Sequence, residues 1–267
     1  MTHSSIDKKH IIVSGCSFTR WGGYNWPDYI DTDNITLYNV AHKGNCNEKV
    51  IRDAYQKFTN LSVKDNERAV VIIQLTGLER VMIDGVISPT IRSLYETKSK
   101  FNWLGKPNQE SMGRFKHYFE NVYTPELHLK KLFQDIITLQ TILDEHSDRV
   151  DYRFFLGWDI FHVNENNMWA KNDKFVNNNT KLLIEEYPEC EELWKKINFE
   201  KFWFFENDFV NYGGMMQWIQ YNLESEDWYR DFESSDFHPT KSGHIQFTEK
   251  VIQPLVDEMF KNIEKKI

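Results

Sequence analysis

The run Ala69-Val70-Val71-Ile72-Ile73-Gln74-Leu75 constrains this chain more than any other stretch. Apolar and polar residues do not alternate in it, so neither face of a strand formed here suits water. β-Branched side chains dominate, which favours a strand over a helix. A strand buried on both faces belongs inside a parallel sheet, and parallel neighbours need long crossover connections. The preceding sequence has room for them. Ile11 to Val13 reads as one strand and Ile35 to Ala41 as another. Between the second of these and Ala69, Val50, Ile51, Ala54, Tyr55 and Phe58 recur at helical spacing.

The same alternation continues. Thr124-Pro125-Glu126 places an N-cap before a proline at the first helical position, and Leu129, Leu132, Phe133, Ile136, Leu139 and Leu143 then mark one apolar face through to about His146. Tyr152 to Leu156 is the expected fourth strand, with Gly157-Trp158-Asp159 at its end, and Phe202 to Phe205 the fifth. Leu182 to Ile197 reads as helical and Met215 to Leu223 as a short amphipathic segment. The C-terminal apolar positions Ile245, Val251, Ile252, Leu255, Met259 and Ile263 read as a helix that Pro254 should kink or divide. The fold class expected is α/β: a flavodoxin-like, doubly wound parallel sheet of about five strands with helices on both faces. At 267 residues we expect a single domain, 1–267, with irregular aromatic-rich insertions at about 81–123 and 160–230 over the C-terminal edge of the sheet.

Composition narrows the partners. With 40% hydrophobic and 27% charged residues the chain reads as globular, and its net charge of −8 disfavours nucleic acid and anionic membranes. Cys16, Cys46 and Cys190 give an odd count without framework spacing, which fits a reducing compartment. Cys16 and Cys46 are expected to be small, polarisable fillers behind the site described below, the alternative being that Cys16 is itself reactive. No leader or membrane-spanning run is visible, so the expected location is cytoplasmic, or virus-associated for a phage-encoded chain.

The chemistry is concentrated at two distant stretches. The first strand ends at Gly15, and Ser17 follows where the chain turns off the sheet, at the end where parallel sheets place ligands. Near the far end, Ser235-Asp236-Phe237-His238-Pro239 offers an acid and a base on one loop. In extended backbone, residues two apart share a side, so the Asp236 carboxylate can reach the His238 imidazole. A serine nucleophile needs such a base, and the base needs an acid to fix its tautomer and stabilise the imidazolium.

Together the two stretches resemble the first and last blocks of the SGNH (GDSL-like) hydrolase family, in the divergent branch seen in tailed phages and marine bacteria. Ser17 matches the nucleophile, with Cys16 where the family usually has Asp, and His238 matches the base. Asn39-Val40-Ala41-His42-Lys43-Gly44-Asn45-Cys46-Asn47 resembles the block whose glycine gives a backbone N–H to the oxyanion hole, and Gly44 is the residue carried over. Two departures stand out. The family's acid usually lies three residues before the histidine, where this chain has Ser235; here Asp236 lies two before. The family's third block supplies an Asn donor, whereas this chain reads Gln74-Leu75-Thr76-Gly77 there, leaving Thr76 or Gln74 to donate instead.

The resemblance implies a serine esterase acting on a carboxylic ester, such as an O-acetyl or other short acyl group on a carbohydrate. Ser17, His238 and Asp236 would be catalytic, and Ser17, Gly44 and Thr76 would hold the oxyanion. It implies no cofactor and no metal. Asp236, His238 and His244 are of metal-ligating types, but no His-Glu-x-x-His or paired-Cys spacing accompanies them. The partner expected is a small-molecule or glycan ester, with no nucleic acid and no membrane; the oligomeric state is open. Two other readings use the same sequence: an O-acyltransferase with the same site, and a non-catalytic glycan-binding or virion-associated structural protein.

Overall fold

The computed structural model describes residues 8–20, 22–78, 80–83, 86–87, 109–162, 181–208, 210–229 and 238–266. Five strands form its central sheet: β1 (Lys8–Ser14), β2 (Ile35–Asn39), β3 (Glu67–Leu75), β4 (Val150–Leu156) and β5 (Phe202–Trp203). Their order is β2-β1-β3-β4-β5 and each neighbouring pair is parallel. This is the flavodoxin-like order, whose reversal lies between β1 and β3; sheets of this order bind ligands at the C-terminal ends of the strands flanking that point. The apolar run that predicted a doubly covered strand is the central β3, and all nine of its residues are buried.

Six helices are used below: α1 (Asn47–Leu61), α2 (Gln109–Asn121), α3 (Pro125–Asp144), α4 (Met215–Asn222), α5 (Lys241–Phe247) and α6 (Gln253–Glu264). Alternation along β4 shows how they cover both faces. Tyr152 donates its hydroxyl to Asp144 at the end of α3, at 3.0 Å. Its neighbour Arg153 points the other way, 3.5 Å from Glu258 of α6, and Phe155 packs on Phe247 of α5.

α3 follows its sequence closely. Thr124 Oγ1 accepts from Leu127 N at 3.1 Å, and the six predicted apolar residues are all buried. Each such side chain contributes about 1.5–3 kcal/mol relative to exposure. Pro254 divides the C-terminal helix as expected: a π-helical turn over Thr248–Ile252 separates α5 from α6, and Pro254 sits in the first turn of α6, where its missing N–H costs least.

Two expectations are corrected. Leu182–Ile197 is not a continuous helix but short turns at Leu183–Glu186, Pro188–Cys190 and Glu191–Trp194, because Pro188 has no N–H to continue the ladder. The stretch read as irregular from 81 to 123 contains the regular helix α2, together with a small hairpin of Met82–Ile83 and Val86–Ile87. Residues 88–108 and the Asn-rich stretch from 164 to 179 lie outside the described residues. Aromatics from the second irregular stretch close the β5 edge: Phe161, Trp194, Phe199, Phe202, Phe204 and Tyr212 stack on one another as core. Among the described residues no helix is long and apolar enough to cross a membrane.

Candidate active site

β1 delivers the chain to the crevice and stops at Ser14, whose hydroxyl is held by the Val50 carbonyl of α1 at 2.7 Å. Beyond it the backbone makes a tight turn in which the Cys16 carbonyl accepts from Thr19 N (3.0 Å) and Arg20 N (3.1 Å). Gly15 is required here, because a Cβ at that position would collide with Thr19 Oγ1 and sit 2.8 Å from Thr19 Cβ. Ser17 lies in this turn and is 4% exposed. Among the described residues its hydroxyl has one hydrogen-bond partner, the Cys16 sulfur at a long 4.0 Å.

Gln74 fixes this turn from below. Its carbonyl accepts from Thr19 Oγ1 at 2.6 Å, and its amide donates to the Leu75 carbonyl at 3.2 Å and approaches the Cys16 sulfur at 3.5 Å. Trp26 Nε1 completes the cluster by donating to Thr19 Oγ1 at 3.2 Å. Gly157 at the end of β4 leaves room for this amide, which a Cβ there would strike. Gln74 is therefore a strut and not an oxyanion donor, which removes one of the two donors that the sequence offered in place of the Asn. Cys16 is fully buried against it, in agreement with the filler role.

The loop after β2 is tied to the same turn. The Gly15 carbonyl accepts from His42 N (3.4 Å) and from the Asn45 amide (3.0 Å), and Asn39 Nδ2 donates to the Thr19 carbonyl at 3.2 Å. Gly44 has a φ of 77°, the left-handed region that glycine enters without a Cβ penalty. Among the described residues, neither the Ser17 N–H nor the Gly44 N–H donates a hydrogen bond. Burial and the nearby Lys49 ammonium hold the His42 imidazole below the usual histidine range.

Thr76, next after β3, is 1% exposed. Its backbone is clamped at two points by the first residue of α1: Thr76 N donates to Asn47 Oδ1 at 2.8 Å, and Asn47 Nδ2 donates to the Thr76 carbonyl at 2.7 Å. Its backbone N–H is therefore occupied, and only the hydroxyl remains for a ligand. Sequence reasoning missed Asn47, although an Asn opening a helix beside the glycine block was a signal that it could touch the neighbouring strand end.

His238 reaches this edge from the far end of the chain. Its ring packs edge-on against Phe18, centroids 5.3 Å apart, and Phe18 in turn packs on Trp158 at 5.4 Å. The loop behind it is anchored by Thr240, which donates to the Asp227 carbonyl at 2.6 Å and accepts from Gly243 N at 3.0 Å to cap α5. The structure thus brings His238 to the residue that follows Ser17 without a hydrogen bond to the Ser17 hydroxyl. Asp236 lies outside the described residues. His244 is fully buried within α5. Among the described residues no three His, Cys, Asp or Glu side chains converge as a metal site.

A second acid–histidine pair at this edge escaped the sequence reading. Asp159 Oδ2 lies 2.6 Å from His162 Nδ1, while Oδ1 accepts from Phe161 N (2.9 Å) and His162 N (3.2 Å). The carboxylate thus holds a tight turn after β4, and the imidazole keeps 12% exposure.

No protein-family model and no curated protein matches the chain. Among solved structures it is similar to protein YxiM of Bacillus subtilis, with a TM-score of 0.44 and 12% identity over 94% of this chain. The matched region spans 57% of that protein's length.

Proposed function

We propose that the chain is a serine esterase of the SGNH type, with Ser17 as nucleophile, His238 as base and Asp236 as the acid that orients it. The observations that support this reading are the buried Ser17 turn after β1, the Gly44 loop tied to it through the Gly15 carbonyl with the Ser17 and Gly44 N–H groups undonated among the described residues, and the His238 ring packed edge-on against Phe18. Rotation about the Ser17 side chain must bring Oγ to His238, a contact that free enzymes commonly complete only with substrate bound.

In this mechanism Ser17 Oγ attacks the ester carbonyl while His238 takes its proton. The Ser17 and Gly44 N–H groups receive the oxyanion, and the Thr76 hydroxyl is the third donor. His238 then protonates the leaving alcohol, and water repeats the sequence to free the acid and Ser17. A carbohydrate bearing an O-acetyl or other short acyl group is the proposed substrate class, and no cofactor is required.

The test is hydrolysis of short-chain p-nitrophenyl esters by wild type, Ser17→Ala and His238→Gln. Turnover by wild type that falls at least about 10³-fold in each variant supports the reading. Turnover that persists in Ser17→Ala overturns it.

A further inference from the structure

A cavity of 190 Å³ lies on the α1 and α3 side of the sheet, and none of Ser17, Gly44, Thr76 and His238 lines it. Its charged and ring-bearing polar wall comes from Glu48, Arg80, Tyr118, His128, Lys131 and Asp135, and Asn47, whose amide holds the Thr76 backbone, also borders it. It is open to solvent on one side and has room for several waters or for a small molecule of about six carbons.

The charges on this wall balance in sum, two cations against two carboxylates, but they are unevenly paired. Lys131 Nζ lies 3.0 Å from Asp135 and 3.8 Å from Glu48, so one ammonium serves two carboxylates. Arg80 has no carboxylate partner among the described residues. His128 contributes no charge at neutral pH, because burial, with Lys131 nearby, pushes its pKa down to about 4. Its Nε2 is paired with the Tyr118 hydroxyl at 2.9 Å, which fixes that hydroxyl against the wall. Leu78, Val81 and Met82 supply an apolar side for C–H groups.

A guanidinium without a carboxylate is matched by one negative charge, and its planar fork favours a carboxylate or phosphate. A dianion, however, would face Glu48 and Asp135, which already share a single lysine. Those two carboxylates accept hydrogen bonds and so call for hydroxyl donors on the same ligand.

We propose that this cavity binds a small hydroxylated monocarboxylate, a sugar acid or shorter hydroxy acid, with its carboxylate on Arg80 and its hydroxyls on Glu48, Asp135 and Tyr118. The site is independent of the esterase reading, since it shares none of the residues that reading uses for chemistry.

The experiment is a titration of full-length Ser17→Ala protein, followed by amide chemical shifts, with D-gluconate, D-glucuronate, D-glucose and D-glucose 6-phosphate. This background makes the result blind to turnover. Saturable shifts around Glu48, Arg80 and Lys131 with either monocarboxylate are expected, with weaker effects from glucose and from the phosphate. Arg80→Gln should weaken the monocarboxylate on the order of tenfold or more and leave glucose unchanged. Lys131→Gln gives an independent check, because freeing Glu48 and Asp135 of their shared cation should also weaken the anion. Absence of saturable shifts, equal binding in Arg80→Gln, or tighter binding of the phosphate would overturn the proposal.

Discussion

Replacing Gln74 by Leu tests the claim that this residue is a strut under the serine turn. The volumes are similar, so the core loses little packing, and such swaps usually cost below about 1.5 kcal/mol. Polar bookkeeping decides the rest. The Leu75 carbonyl keeps a partner, since it also accepts from Gly157 N at 2.9 Å. Thr19 Oγ1 keeps Trp26 Nε1 as a donor but loses the 2.6 Å acceptor for its own proton. One buried donor left unsatisfied costs about 1–3 kcal/mol, and we expect a total near 2 kcal/mol. For a chain of this size that lowers Tm by ~4–8 °C. Urea unfolding read by tryptophan fluorescence measures it, with Thr19→Val and the double variant closing a cycle. Because each single change strands part of the same hydrogen bond, the double variant should cost less than the sum by about 1 kcal/mol. An unchanged urea midpoint, or strict additivity, would refute the strut; an oxyanion donor at Gln74 would instead cost turnover and leave stability intact.

Three further outcomes follow from the same geometry. Asn47→Ala removes both bonds to the Thr76 backbone and should destabilise the fold by roughly 2–4 kcal/mol, with slower amide exchange lost at Thr76 and the start of α1. Gly44→Ala places a Cβ at a φ of 77° and should cost about 1–2 kcal/mol in thermal or urea unfolding. Stability should also fall in acid through His128. Its folded pKa of about 4 lies below the ordinary value of 6.5, so the unfolded chain binds more protons between those limits. This contribution is complete above about pH 6.5 and is lost as the pH drops toward 4, by about 1–2 kcal/mol once solvent screening of this partly buried ring is allowed for. Burial lowers the His10 and His42 pKa values as well, so they act in the same direction. Urea midpoints at pH 7 and 4.5 should converge more in His128→Gln than in wild type; identical pH slopes would contradict the assignment.

Features governed by short-range pattern were legible in the sequence. The five strands could be found because each is a short apolar, aromatic or alternating run bounded by turn residues, and their parallel pairing followed from the long crossovers between them. The Thr124 cap and the break at Pro254 depend on one or two residues each, and both stand as read. Leu182–Ile197 was misjudged because helical spacing outweighed Pro188, and α2 was hidden by Gly113 and a dense set of aromatics. The site was legible only as separate parts. Strand periodicity put Ser17 at the end of β1, whereas Gly44 and Thr76 came only from resemblance to the family's blocks. What binds them together was harder to read: Gln74 ties the end of β3 to the turn after β1, Asn47 bridges a helix to a strand, and Asp159 meets His162 only because the chain turns sharply after β4. Such contacts are set by where elements meet in space, and of the three only Asn47, an Asn opening a helix beside the glycine block, left a signal in the sequence.

The most direct test of the central claim is labelling of the wild-type protein with a fluorophosphonate, followed by mass spectrometry of the modified peptide. The account predicts covalent modification at Ser17, slowed severely in His238→Gln and absent in Ser17→Ala. Failure of the wild type to react, or modification at a different serine, would contradict it.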